Sequence, residues 1–298
     1  MAEPTILVSV ALCTYNGQAY LAEQLLSLSR QTYKNIEIII VDDGSTDQTL
    51  SVIKNFQLKD PRIKLYCNER NLGFNANFKK AIALCTADYV AISDQDDIWM
   101  EDKLSIMMAG IGDNLLYYHN SAYIDAHGIA NGKSTLSAHR FTSGFCSKML
   151  LLNNCVSGHA CLIRKELLDM TPAFPGGFYY DWWLSYTAAC LGRITFSTKT
   201  LVHYRIHNHS ITHGDRKNSR SLRIAHFSYF KDHPLTPALL RAFLEKLLLL
   251  YKKSGTQFFS VGLFITLLQN YSALFYTRKR SLFSNLKFII RESSNHKK

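Results

Sequence analysis

The chain has 298 residues, 47% of them hydrophobic, with only 15 Gly and 6 Pro. This supports one large domain or a core domain with an appendage, and it excludes a disordered tail, a collagen-like repeat and a linker-dominated chain. The net charge of +11 is unevenly placed: from Lys199 onward 18 Lys or Arg face 4 Asp or Glu, whereas residues 1–198 carry 16 against 19.

Strand-like and helix-like runs alternate from the start. The first apolar run, "TILVSVALC" (5–13), is short and β-branched, and no basic leader precedes it, so it reads as a first strand and not as an export signal. A helix is expected from about Ala19 to Ser29, a strand over 36–43, a helix from about Thr46 to Phe56, a strand over 63–67, a helix from about Ala76 to Cys85 and a strand over 89–93. The early strands show little polar alternation, as when helices cover both faces of a parallel sheet. Gly44 and Gly73 permit tight turns, Ser45 or Thr46 can cap the helix after the first, and Asn75 can cap the helix after the second. The fold class is therefore α/β, an open, mostly parallel sheet whose polar strand ends converge on one crevice.

Beyond Leu115 the pattern loosens. "LLYYHNSAYI" reads as a strand ending near His119, and residues 125–142 read as polar loop. "SGHACLIRKELLDM" reads as a turn, a short strand and a helix; Asp181 opens the helix "DWWLSYTAACLG"; and "RITFSTKTLVHYRIH" is a strand pair or one bent strand. Residues 208–221 are expected to form a mobile polar loop. The chain then turns helical and oily, with 24 uncharged residues between Lys253 and Arg278. That length permits a membrane span, and ordinary packing or a subunit contact is a further alternative. Gln257, Gln269, Asn270 and the basic run "TRKRSLFSNLKFIIR" favour an amphipathic segment lying in a membrane interface. A basic tail also attracts nucleic acid, but it shows neither zinc-finger spacing nor a helix-turn-helix cue, so no nucleic-acid partner is expected. The seven cysteines include no CxxC pair and several sit in apolar runs, which points to reduced, buried thiols in a cytosolic compartment.

Neither GxGxxG nor GxxxxGK[ST] is present, which removes the main support for dinucleotide and P-loop readings. The carboxylates of "VDDGSTD" can bind a base or ribose, or merely cap turns. In "SDQDDIW" Asp94, Asp96 and Asp97 follow a strand with no basic residue until Lys103. Two carboxylates one residue apart in a non-helical turn can face a hard divalent cation that bridges to a diphosphate, and without a counter-charge their repulsion is costly. Read structurally, Asp97 caps a helix starting near Ile98 and the others are solvated. Asp181 likewise is either a functional carboxylate among Tyr179, Tyr180, Trp182 and Trp183, or an N-cap worth ~1 kcal/mol.

In order and spacing, "VSVALCTYNG", "EIIIVDDGSTDQT", "NLGFNANFKKAI", "SDQDDIW", "GHACLIRKEL", "DWW" and "YRIH" resemble family 2 glycosyltransferases of GT-A fold over roughly residues 5–210, and within them the bacterial rhamnosyltransferase-like branch. The resemblance implies a GT-A domain over 1–215, and the basic, amphipathic character of the helical region over 216–298 points to attachment at the cytoplasmic face of the inner membrane. It implies donor contacts from Thr14, Tyr15 and Asn16, base reading by Asp43, and Asn71 and Asn77 on the same side. It also implies Asp94 near the ribose, Asp96 and His207 on Mn²⁺ or Mg²⁺, and Asp181 as catalytic base. His159 is given no firm role. The reaction implied is inverting transfer of a sugar, L-rhamnose from dTDP-rhamnose as first choice and a UDP-hexose or UDP-N-acetylhexosamine next, to an oligosaccharide or glycolipid acceptor. Nucleotidyl transfer and a non-catalytic membrane- or partner-binding homologue are the competing accounts. Two departures stand out: Asn208 replaces the glycine usual after the histidine, and His203 is unfamiliar.

Overall fold

The computed structural model describes residues 6–207, 220–254 and 258–294. The first half runs β1 (Val8–Thr14), α1 (Leu21–Ser29), β2 (Ile36–Asp42), α2 (Thr49–Gln57), β3 (Ile63–Cys67), α3 (Phe74–Leu84) and β4 (Tyr89–Ser93). Next come β5 (Ile98–Trp99), α4 (Lys103–Ile111), β6 (Leu116–Ile124), β7 (Ala130–Ser134), α5 (Thr135–Ala138), β8 (Cys161–Arg164), α6 (Glu166–Met170), α7 (Tyr180–Cys190) and β9 (Ile194–Arg205). Five helices close the chain: α8 (Arg220–Asp232), α9 (Ala238–Ser254), α10 (Val261–Gln269), α11 (Tyr271–Leu274) and α12 (Leu282–Ser293).

All strands join one sheet of order β3-β2-β1-β4-β8-β6-β9-β5, with β7 on β6. The four strands β3, β2, β1 and β4 are mutually parallel, while β8 runs antiparallel to both β4 and β6. Every residue of β1 and β2 is buried. Val10 and Leu12 enter the core under α1, α2 and α4; Ala11 and Cys13 enter the opposite core with α3 and α7. This two-faced burial is why those strands lack polar alternation.

Several expectations need correction. The strand expected to stop near His119 runs to Ile124, because β9 and neighbouring loops satisfy its polar residues: Asn120 Nδ2 donates to Thr200 Oγ1 at 2.8 Å. Residues 125–142 are not all loop: the Asp125 carboxylate accepts from the backbone of His127 and Ile129, forming the turn into β7, and α5 follows. "RITFSTKTLVHYRIH" contains one long strand whose register against β6 shifts twice. Neither Ser45 nor Thr46 caps α2; Ser45 Oγ donates to Asp42 and it is Asp47 that accepts from Thr49 N at 2.9 Å. Asn75 does not cap α3 either, since its amide bonds Phe178 O and Tyr180 N. Cys67 is exposed; the other six cysteines are buried, and all seven are free thiols.

The C-terminal helices share a core with α7. Phe230 packs on Tyr186 with ring centroids 4.3 Å apart, and Leu244, Leu267 and Ile289 lie in the same cluster. The edge residues Arg140 and Lys279 exchange backbone bonds with Thr277 and Ala138. The expected boundary near residue 215 lies outside the described residues, as do most of 208–221. Among the described residues no helix is long and apolar enough to cross a membrane.

Glu37 interrupts the apolar run of β2. Burial raises its carboxyl, but bonds from Lys64, Ser9 and Thr86 outweigh that and hold it at about 2, below its ordinary 4.5. Stability linked to Glu37 is therefore complete above pH 4.5 and lost as pH falls toward 2. Glu37→Gln is expected to cost roughly 2 kcal/mol at neutral pH and to flatten the acid limb; urea unfolding across that window measures both.

Candidate active site

Strand order reverses between β1 and β4, and there the carboxyl ends of β1, β2 and β4 open one crevice. Thr14 ends β1 with its hydroxyl on Asp42 Oδ1 at 2.8 Å. Tyr15 is exposed, and the Gln95 amide clamps its backbone from both sides, N to Oε1 at 2.9 Å and O to Nε2 at 3.0 Å. Asn16 adopts φ 46°, and its Oδ1 accepts from Thr46 N at 2.8 Å, tying β1's exit loop to β2's. Asp43 is buried; its carboxylate accepts from Asn68 Nδ2, Leu72 N and Gly73 N at 2.7–2.9 Å. Gly73 takes φ 83°, a left-handed turn that any side chain would strain, and Asn71 Oδ1 accepts from its N–H at 2.9 Å. Asn77 is buried, donating to Val41 O and accepting from Asn68, both at 2.9 Å. Tyr15, Asn16 and Asn71 therefore reach the crevice surface, whereas the side chains of Thr14, Asp43 and Asn77 are spent holding its loops.

The acidic turn after β4 is organised from β9. Ile98 and Trp99 pair with His203 and Val202, so Asp97 precedes a strand and caps no helix. The buried Arg205 guanidinium donates to Asp96 O at 2.9 Å, to Asp125 O and Ala126 O, and to Glu23 Oε2 at 2.5 Å, while its backbone N–H donates to Asp97 Oδ1 at 3.1 Å. Two residues on, His207 Nε2 meets Asp96 Oδ2 at 2.8 Å, and the His207 ring lies 4.9 Å from that of Tyr20. The structure thus brings together the two residues expected to share a cation.

A second donor set lies beneath them. His159 stacks on Tyr204 at 4.5 Å, bonds Ser121 Oγ through Nε2 at 2.9 Å, and turns Nδ1 toward Asp94 at 3.7 Å and Asp97 at 3.9 Å. Ligand atoms of Asp94, Asp97 and His159 lie within 4.8 Å of one another, a cluster that could coordinate a divalent metal. Asp97 Oδ2 is buried without a hydrogen-bond partner among the described residues. Lys103, fully buried, sits 3.3 Å above the Trp99 ring and donates to His159 O at 2.7 Å.

Burial and neighbouring charge set the protonation of this cluster. Burial, then the charges of Asp96 and Asp181, push Asp94 up to about 7; burial, then Asp96 and Asp94, push Asp97 well up. Burial, aided by Lys103, drives His159 down to about 3, and burial drives Lys103 far down against the pull of Asp97. Crowded carboxylates facing an imidazole that resists protonation form a donor set of oxygen and neutral nitrogen, which fits a hard divalent cation.

Asp181 stands at the second position of α7, not at its N-cap, which is Tyr179. Its Oδ2 accepts from Gly158 N at 3.2 Å and its Oδ1 from Trp182 N at 2.6 Å. A Cβ at Gly158 would lie 2.0 Å from Tyr180 Oη, so glycine is required for the loop before β8 to approach α7 this closely. Asn75 fastens the start of α7 to α3, and Tyr180 stacks on Phe78 at 4.5 Å. Asp181 is thereby fixed near enough to Asp94 for its charge to act on that carboxyl. Sequence reading missed Lys103, Arg205 and Glu23 and left His159 unassigned. The one available signal was Lys103 as the first cation after the acidic run.

A profile described as "Glycosyl transferase family 2" matches residues 9–170. An uncharacterized glycosyltransferase of Haemophilus influenzae is 27% identical over 252 residues, covering 75% of this chain and 74% of that protein. The GalNAc(5)-diNAcBac-PP-undecaprenol beta-1,3-glucosyltransferase of Campylobacter jejuni is 25% identical over 278 residues, covering 92% and 88%. Among solved structures, S. aureus TarS 1-349 in complex with UDP-GlcNAc superimposes with a TM-score of 0.62 at 18% identity, covering 91% of this chain and 82% of that one, a likeness of fold.

Arg205→Met would leave several backbone acceptors and Glu23 without their shared donor, and is expected to cost about 3–5 kcal/mol. Glu23→Gln is expected to cost less than about 1 kcal/mol, because the Glu23 side chain is 59% exposed. Urea midpoints of the two variants test the asymmetry.

Proposed function

The chain belongs to glycosyl transferase family 2, and on that premise we propose that it transfers a hexose or N-acetylhexosamine, with inversion, from a uridine diphosphate sugar to a hydroxyl of a lipid-linked oligosaccharide. At the coarser level it is an inverting, GT-A-fold enzyme carrying sugar from a nucleotide donor to a polysaccharide or glycolipid acceptor. The convergence of Asp96, His207 and Asp181 around Asp94 carries the reading. The rhamnosyl expectation lacks support among the relatives. A glucosyltransferase in Campylobacter jejuni and a fold relative holding UDP-GlcNAc make a uridine-linked hexose the better supported donor.

Inversion needs a single displacement: the acceptor oxygen attacks the anomeric carbon opposite the leaving diphosphate and gives its proton to a base. Asp181 takes that proton on a carboxylate oxygen. Its two backbone N–H bonds and the Asn75 tether hold it still, and Tyr180, Trp182 and Trp183 limit water around it. Tyr15, Asn16 and Asn71 line the nucleotide side, with Thr14 and Asp43 fixing their loops. Asp96 and His207, with side chains 19% and 12% exposed, can share a cation with a diphosphate; Asp97 at 0% and His159 at 4% have no open face, and they support the turn from below. When bound there, Mn²⁺ or Mg²⁺ supplies the charge that neutralises the departing nucleoside diphosphate. The excess of cations after Lys199 supports peripheral attachment to an anionic membrane, on the cytoplasmic face where nucleotide sugars are made.

A panel of UDP-glucose, UDP-GlcNAc and dTDP-rhamnose tests the donor, with release of nucleoside diphosphate as readout; turnover of dTDP-rhamnose alone would overturn the uridine assignment. Asp181→Asn is expected to lower kcat by ~10²–10⁴-fold while UDP affinity stays within about twofold. Chelation is expected to reduce turnover by at least about a hundredfold, with recovery on adding Mn²⁺, and undiminished activity in chelator would remove the cation from the account.

A further inference from the structure

We propose that the groove between Arg280 and α12 binds the phosphate headgroups of anionic phospholipid while Phe283 and Ile290 enter the acyl layer, an inference that rests on the membrane attachment proposed above. The buried side of α12 carries Asn285, Ile289, Glu292 and Ser293. Its opposite side sets apolar Phe283 (77% exposed) and Ile290 (50%) among the exposed cations Lys287 and Arg291. Phe259 pairs with Ser294 at the end of this helix, which places Phe258 and Val261, both highly exposed, at the same end. Beside them lies a cavity of about 660 Å³ whose lining includes Arg280, Ser284, Lys287 and Arg291, with Phe288 and Ile290 on its apolar side.

The groove is short of negative charge. Glu292 lies 3.8 Å from Arg291 Nε, but it is buried and held more closely by Arg223 at 2.7 and 3.0 Å and by Tyr251 at 3.0 Å. Among the described residues, neither Arg280 nor Lys287 has a carboxylate within ion-pair distance. Burial and the neighbouring cations Arg278, Arg291 and Arg223 depress the Arg280 guanidinium, so an anion beside it would be favoured. Phosphate supplies that anion. Aliphatic Ile290, Leu282 and Val261 have nothing to stack on in a nucleic acid, whereas beside a headgroup they meet hydrocarbon.

Sedimentation of the full chain with vesicles of phosphatidylcholine, alone or mixed with phosphatidylglycerol, provides the test. The chain is expected to bind the mixed vesicles, and Arg280→Gln and Lys287→Gln are each expected to weaken binding by about fivefold. Phe283→Ser is expected to weaken it as well, whereas Lys59→Gln in the α2–β3 loop is expected to leave it unchanged, and turnover on a soluble acceptor is expected to persist in every variant. If the wild type fails to sediment, membrane attachment itself falls. If it sediments and the three α12-side variants match it, the attachment stands and this groove is overturned. RNA binding that depends on the same residues, in place of vesicle binding, also overturns it.

Discussion

A guanidinium buried at the end of β9 is the constraint on which the site depends. Arg205 has five donors and is almost wholly buried, so its surroundings must supply acceptors, and they do so from three separate segments: backbone carbonyls of the acidic turn and of the β6–β7 turn, and the Glu23 carboxylate of α1. Breaking any one of those contacts leaves a charge buried with fewer partners. The turn carrying Asp94, Asp96 and Asp97 is therefore held through the Asp96 carbonyl and the buried Asp97 carboxylate, while the carboxylates of Asp94 and Asp96 keep an exposed face. His207 follows two residues later, so the same strand end that pins the turn also delivers the imidazole to Asp96.

Beneath this clasp the protein accepts an unfavourable arrangement. Lys103 and His159 are buried where burial favours their neutral forms, and they stand beside carboxylates pushed toward protonation by burial and then by one another. A fold selected only for stability would fill the space with hydrocarbon. Crowding carboxylates beneath a crevice gives a divalent cation something to offset, because a positive charge there would relieve their mutual repulsion.

The first half of the fold is legible in the sequence because burial on both faces writes an unbroken apolar run, and 63–67 and 89–93 are strands as read. The reading fails where polar side chains are satisfied by distant partners. His119, Asn120 and Ser121 look like a strand's end yet lie in its buried middle, since Thr200 answers Asn120, His159 answers Ser121, and His119 turns Nδ1 to the Asn120 carbonyl. Residues 125–142 look like loop because their turn and capping chemistry, not hydrophobicity, orders them. Of the residues proposed for the site, Asp94 and Asp96 stand out from carboxylate spacing alone, whereas the roles given to Asp181 and His207 come from motif resemblance, which carries spacing between segments that local pattern cannot. Lys103 and Arg205 escaped because a buried cation is recognisable only once its acceptors, some far away in sequence, are assembled.

The aromatic contact between α7 and α8 joins the crevice and the C-terminal helices in one continuous core. Among the described residues that core is continuous from α7 to α12, so if α12 rests upon a surface, the height of the crevice above it would be set by this packing. A glycan anchored in that surface would present its terminal hydroxyl at the right level only over a narrow span of lengths. Shorter chains would fall below the base and longer ones would pass it, and the enzyme would measure its acceptor by reach as well as by shape.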